Sequence, residues 1–187
     1  MGGGGLLPTA IKNNKLYFLF GLENELDDTP GWADFGGGAE EGETVLDTAI
    51  REGGEEINGM LGYGEKLKKR VKQNKIANIV FKTYTTFIFK TDYDANLPSY
   101  YKNNYEFFSK YLPEVKAKLD NGLLEKSKIR WFSIDELKTE RNTFRSFYQH
   151  IVDLIIKQYS FLLQKMKAKE STKKNKAHGH KSRTYKK

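Results

Sequence analysis

Between residues 6 and 22 the chain runs through two apolar stretches, broken once by the polar residues 12–15 with Asn13 and Asn14 at their centre. Paired asparagines between apolar runs predict a hairpin, with extended chain over residues 6–11 and a Tyr- and Phe-rich strand over 16–22. The glycines Gly2 to Gly5 ahead of it are expected to form a flexible start or a glycine-rich edge. Residues 23–31, with Pro30, read as a polar loop, and residues 32–35 as a short strand leading into a glycine loop. The period then changes. Leu46, Ala49, Ile50, Gly53 and Ile57 recur at helical spacing, and Thr44 three residues before Asp47 is a capping-box signature, so a helix is predicted from Thr44 onward.

Beyond this helix, residues 66–72 are basic and helical in pattern. Residues 75–81 and 83–90 alternate β-branched and aromatic side chains and predict two strands, or one long bent strand. Residues 97–120 read as an aromatic and basic helical insertion interrupted by Pro113, closed by a turn at Asn121-Gly122. Residues 129–132 form the last strand, and Ser133 caps a short helix over 134–137. Phe144, Tyr148, Ile151, Ile155, Tyr159, Leu162 and Met166 fall three or four apart, which predicts one long amphipathic helix over 144–166.

Composition narrows the chemistry. The 187 residues contain no cysteine and three histidines, so disulfides, thiolate zinc sites and a histidine triad lack material. No apolar run approaches the ~20 residues that span a bilayer, and the start lacks a signal-peptide pattern, so no membrane partner is expected. The formal charge of +8 is unevenly spread. Residues 165–187 hold ten Lys or Arg against Glu170 alone, leaving 22 of the 32 basic and 23 of the 24 acidic residues in the body. The body is near neutral. From about Glu170 the chain lacks apolar residues that offset ordering, so residues 170–187 are expected to be a basic, disordered tail. It would serve either as an electrostatic anchor for RNA phosphates or as a solubilising or localising extension.

The acids concentrate in residues 37–59, GGAEEGETVLDTAIREGGEEING. Glu52, Glu55 and Glu56 stand at i, i+3 and i+4, on one flank of the predicted helix beside its apolar stripe. A solvated acidic face would account for a lone pair. Gly53 and Gly54 argue otherwise, because each costs about 1 kcal/mol relative to alanine in a helix interior, so stability alone does not explain this sequence. Clustered carboxylates suit Mg²⁺ or Mn²⁺ with positions left for substrate phosphates.

These residues resemble the signature of the Nudix hydrolases, G-x5-E-x7-R-E-U-x-E-E-x-G-U with U apolar. Gly37, Glu43, Arg51, Glu52, Glu55 and Glu56 stand in register, so every charged position matches. The departures are Gly53 and Gly59 at apolar positions and Asn58 at a glycine. WADFGG resembles the family's W-x-x-P-G-G, and WFSIDEL its W-x-x-x-x-E-L after the last strand. The resemblance implies an α/β/α sandwich around a mixed β-sheet, here with the helical insertion at 97–120, the long C-terminal helix, and one domain over residues 1–169. Gly53, lacking a side chain, predicts weaker or closer packing of the helix on the sheet.

By the same resemblance, the activity is Mg²⁺- or Mn²⁺-dependent cleavage of a diphosphate linkage in a nucleoside diphosphate joined to another group. Glu52, Glu55 and Glu56 would be ligands, with the Gly37 carbonyl a further candidate, and one carboxylate would take the proton. Glu43 and Arg51 would pair and orient the loop. Glu125, ahead of the last strand, is the candidate extra acid, although it stands among Lys126 and Lys128 and the plainer reading is a solvated side chain. The tail and insertion make the mRNA cap the sharper substrate guess. Small nucleotides (a triphosphate, a sugar nucleotide, a dinucleoside polyphosphate) fit equally, and a non-catalytic binding module for RNA or nucleotide is the alternative. A cytoplasmic or nuclear location is the expectation.

Overall fold

The computed structural model describes residues 2–24, 28–116 and 124–181. Seven strands form one mixed sheet: β1 (Gly3–Lys12), β2 (Lys15–Glu23), β3 (Trp32–Ala33), β4 (Phe35–Gly38), β5 (Lys75–Phe81), β6 (Tyr84–Lys90) and β7 (Lys126–Ser133). Along its main path the order is β3-β2-β1-β6-β5, with β4 also pairing β1 and β7 also pairing β2. Strands β1 and β6 run parallel, and the remaining pairs are antiparallel. The hairpin between β1 and β2 turns on Asn13 and Asn14 at φ 50° and 60°, a conformation asparagine tolerates better than most residues.

Successive side chains of a strand face opposite ways, so β1, β2, β6 and β7 each feed two cores. Leu6, Ala10, Leu19, Phe87, Phe89, Ile129 and Trp131 meet α1 (Val45–Glu56), α2 (Gly64–Asn74) and α3 (Leu97–Tyr111) on one face. Leu7, Leu16, Phe18, Phe20, Ile88 and Phe132 meet α5 (Ile134–Thr139), α6 (Tyr148–Lys157) and the first turns of α7 (Tyr159–Lys181) on the other. The short α4 (Pro113–Lys116) follows α3. The expected sandwich is present. The Asn121-Gly122 turn and the end of the predicted insertion lie outside the described residues.

Four expectations change. The glycines at the start are neither flexible nor at an edge: Gly3 to Gly5 open the central strand, paired with β4 on one side and β6 on the other. The single strand at 32–35 is two, separated at the buried Asp34. The long helix over 144–166 is broken. Phe144 is extended and bridges Trp32, because its ring packs among Phe20, Phe132 and Tyr148, so α6 starts only at Tyr148, and a turn at Gln158 separates it from α7. Finally, α7 continues as helix past Glu170 to Lys181, into the stretch expected to be disordered, the rest of which lies outside the described residues; Leu162 and Met166 are buried, and Glu170 pairs with Lys90 at 2.9 Å.

Candidate active site

Helix α1 begins where its sequence asks, with the Thr44 hydroxyl accepting from the Asp47 N–H. It lies against glycines. A Cβ on Gly4 would collide with the Val45 carbonyl, and one on Gly53 would meet Leu6 Cδ1 at 2.7 Å, so Gly53 gives closer packing on β1. Gly37 performs the same service for the acids: a Cβ there would sit 2.5 Å from Glu52 Oε1. The glycine strand and the acidic helix are thus fitted to one another, carboxylate over backbone.

Arg51 gathers the anions. Its Nε and Nη2 donate to the two oxygens of Glu43 at 2.8 and 3.1 Å, a bidentate pair. Its Nη1 donates to Glu52 Oε1 at 2.9 Å and lies 3.6 Å from Glu55, while Nη2 reaches the Gly38 carbonyl at 3.2 Å. The Arg51 hydrogen bonds hold the Glu43 carboxyl down at about 2. Arg51 therefore ties the loop, β4 and the helix together.

Glu56 occupies a different environment. It is buried, with Oε1 2.9 Å from Lys126 Nζ and Oε2 accepting from the Gly36 N–H at 2.7 Å. Lys126, next to Glu125 in the sequence, is wholly buried and also donates to Glu23, whose Oε1 accepts from Arg145 Nη1 at 2.6 Å. Tyr101 of α3 donates to the carbonyls of Glu56 and Lys126 at 2.8 and 3.0 Å, which fastens the insertion to the site. Sequence reasoning missed Lys126, Glu23, Arg145 and Tyr101. An isolated acid ending the apolar strand β2 was the one available hint, since a buried carboxylate needs a buried cation.

Glu125 precedes β7, half-buried, its carbonyl accepting from the Asn24 N–H at 2.8 Å. Burial, then the charge of Glu52, raises its carboxyl above the ordinary range, with Glu23 and Glu55 adding against Lys126. Burial also raises Glu55, opposed by Arg51 and reinforced by Glu52 and Glu40. The structure thus brings Glu125 within electrostatic reach of Glu52 and Glu55, and sets Glu56 deeper, on Lys126.

Among the described residues, no three carboxylate or imidazole groups surround a common point ready for a cation. The cause is local: Glu52 is drawn to Arg51, and Glu56 to Lys126 and Gly36. The donor chemistry still fits a hard divalent ion. Glu55 and Glu125 are both raised by burial and by neighbouring anions, an excess of negative charge that a nearby cation would relieve. The Gly37 carbonyl faces β1, 2.7 Å from the Cβ position of Gly3.

The profile of the NUDIX domain matches residues 14–154, about three quarters of the sequence. The chain belongs to the Nudix hydrolase family. Among solved structures, this Nudix chain is similar to a bifunctional NMN adenylyltransferase/ADP ribose pyrophosphatase from Francisella tularensis, complexed with AMP and manganese. Identity is 16%, over 84% of this chain and 42% of that one, with a TM-score of 0.52. The chain therefore spans less than half the length of that relative. It is also similar to a C. elegans Ap4A hydrolase (15% identity, 91% and 98% of the two chains, TM-score 0.46) and to a MutT protein from Methanosarcina mazei (15%, 83% and 92%, 0.48). At 16% identity and a TM-score of 0.52, the likeness to the Francisella protein speaks to the fold alone. No curated protein matches the sequence.

Proposed function

We propose that this Nudix hydrolase is a Mg²⁺- or Mn²⁺-dependent pyrophosphohydrolase that cleaves the phosphoanhydride of a nucleoside diphosphate joined to a second group. The observation that carries the reading is the unbalanced negative pole formed by Glu52, Glu55 and Glu125 beside the glycine strand, with Arg51 as its shared counter-charge. A bound divalent ion would neutralise the diphosphate and acidify an attacking water. Glu52, Glu55 and Glu56 are the protein's ligands in this reading, with Gly37 giving the Glu52 carboxylate room against β4. Lys126 and the Gly36 N–H hold the buried Glu56 in place. Arg51 and Glu43 orient, and Glu125, whose carboxyl is raised by burial and by the charge of Glu52, is the candidate base.

Capped RNA is the finer candidate substrate, because a cap contains a polyphosphate bridge, and α3 exposes Tyr100, Phe107 and Tyr111, with Lys110 over the Tyr111 ring. ADP-ribose and dinucleoside polyphosphates share the bond. Full-length protein should therefore be incubated with Mg²⁺ and a panel of these compounds beside capped RNA, with products resolved chromatographically. Glu55→Gln should lower turnover by at least ~10²-fold with unchanged thermal stability. Glu125→Gln should lower kcat with little change in KM. Near-normal turnover in Glu55→Gln removes it from the ligand set.

A further inference from the structure

At the C-terminal end of α1 a cavity of about 180 Å³ is lined by Asn58, Asn104, Phe108 and Leu124. None of these belongs to the charged motif. Asn58 stands where the family signature has glycine, at φ 51°, a conformation that glycine adopts without cost. An amide has been placed where a bare backbone suffices. Its Nδ2 donates to Asn104 Oδ1 at 3.3 Å, while its own Oδ1, shielded from water, has no hydrogen-bond partner among the described residues. A shielded, unmatched acceptor is costly to leave unpaired, so its presence points to a group that completes it.

The cavity is built on the same elements as the acidic site. The Asn58 N–H donates to the Glu55 carbonyl at 2.8 Å, in the turn that closes α1 three residues past that acid. Leu124 immediately precedes Glu125. On α3, Asn104 and Phe108 follow Tyr101 by one and two turns on the same face, and Tyr101 is bonded to the Glu56 carbonyl. A flat aromatic ring, two amides and a small mixed cavity are what a purine or pyrimidine base requires: a face to stack on and paired donors and acceptors for its edge.

We propose that this cavity is a nucleobase subsite, in which the substrate's base stacks on Phe108 and is read at its edge by Asn58 and Asn104. The assignment rests on the hydrolase reading for its orientation, with the diphosphate running from the base to Glu55 and Glu125. It makes the helical insertion a specificity element.

Binding without metal tests the subsite apart from catalysis. Full-length protein is titrated calorimetrically with AMP, GMP, CMP, UMP and ribose 5-phosphate. At least one nucleotide should bind about 10-fold tighter than ribose 5-phosphate, the scale of one stacked base. Phe108→Leu should lower the affinity of all four nucleotides. Asn58→Gly, which keeps the backbone unstrained, and Asn104→Ala should erase the ranking among bases and raise KM for the preferred nucleotide substrate. If ribose 5-phosphate binds as well as every nucleotide, or if Asn58→Gly and Asn104→Ala preserve the ranking, the subsite does not exist. If base preference depends on these residues yet no substrate is cleaved with Mg²⁺, the subsite stands and the hydrolase reading falls.

Discussion

A single buried lysine determines how the deepest acid of the site is held. Lys126 lies between Glu23 and Glu56, and removing one partner of a buried pair typically costs about 3–5 kcal/mol, because the remaining charge has lost its counter-ion. Lys126→Met should therefore lower unfolding free energy by about that amount in denaturant titrations. Adding Glu56→Gln should recover part of it, since Glu23 keeps Arg145. Asp34 gives a second residue-level expectation. It is buried, accepting from Tyr84 and Thr86 hydroxyls at 2.8 and 2.7 Å, and burial raises its carboxyl from 3.8 to about 6. A raised acid binds its proton more tightly in the folded state, so its contribution is full below about 3.8 and is lost as pH rises through 6. The shift corresponds to ~3 kcal/mol. Asp34→Asn should flatten the fall in stability between pH 4 and 6.5, measured by melts across that window. The charged motif was legible because its spacing is rigid along one helix. Lys126 and Asp34 were not, because their burial depends on partners 70 or more residues away for Lys126, and about 50 away for Asp34.

At the scale of elements, the sequence spoke clearly wherever side chains alternate or recur. The hairpin, the capped helix α1 and the two strands β5 and β6 follow from period and turn chemistry. Only the glycine start of β1 was misread, because glycine has no side chain to show a period. What holds it extended is hydrogen bonding on both edges and the approach of α1 to a surface without Cβ atoms. Three alanine substitutions separate these effects. Gly4→Ala sets a methyl group against the Val45 backbone carbonyl, which cannot turn aside, and should be the most damaging. Gly53→Ala meets the Leu6 side chain at 2.7 Å, an overpacking cost of about 1–3 kcal/mol, partly offset by about 1 kcal/mol of helix propensity. Gly54→Ala meets the half-exposed Tyr63 ring at 3.3 Å, and should stabilise by up to about 1 kcal/mol. Chemical denaturation of the three variants should rank them in that order.

Across the whole molecule, one sheet serves two purposes: its α1 face carries the acids, and its other face carries the C-terminal helices. The charge division of the sequence maps onto this arrangement. Helix α7 leaves the core beyond Met166, and its last described anchors are the Lys90–Glu170 pair and the Lys169 contact with the Lys75 carbonyl at 3.0 Å. A truncation meant to test the basic extension therefore has to spare Glu170. Removing residues 172–187 takes away seven Lys or Arg and no acid. Because none of the acids or cavity residues lies there, hydrolysis of small nucleotides and the melting temperature should stay at parental values. Binding to single-stranded RNA should weaken. If all seven charges contact phosphates, the slope of log affinity against log salt should flatten by as much as ~5, from ~0.7 per neutralised phosphate on single strands. Equal affinity and equal slope in the two proteins would remove RNA anchoring from the extension's roles and leave capped RNA supported by the α3 surface alone.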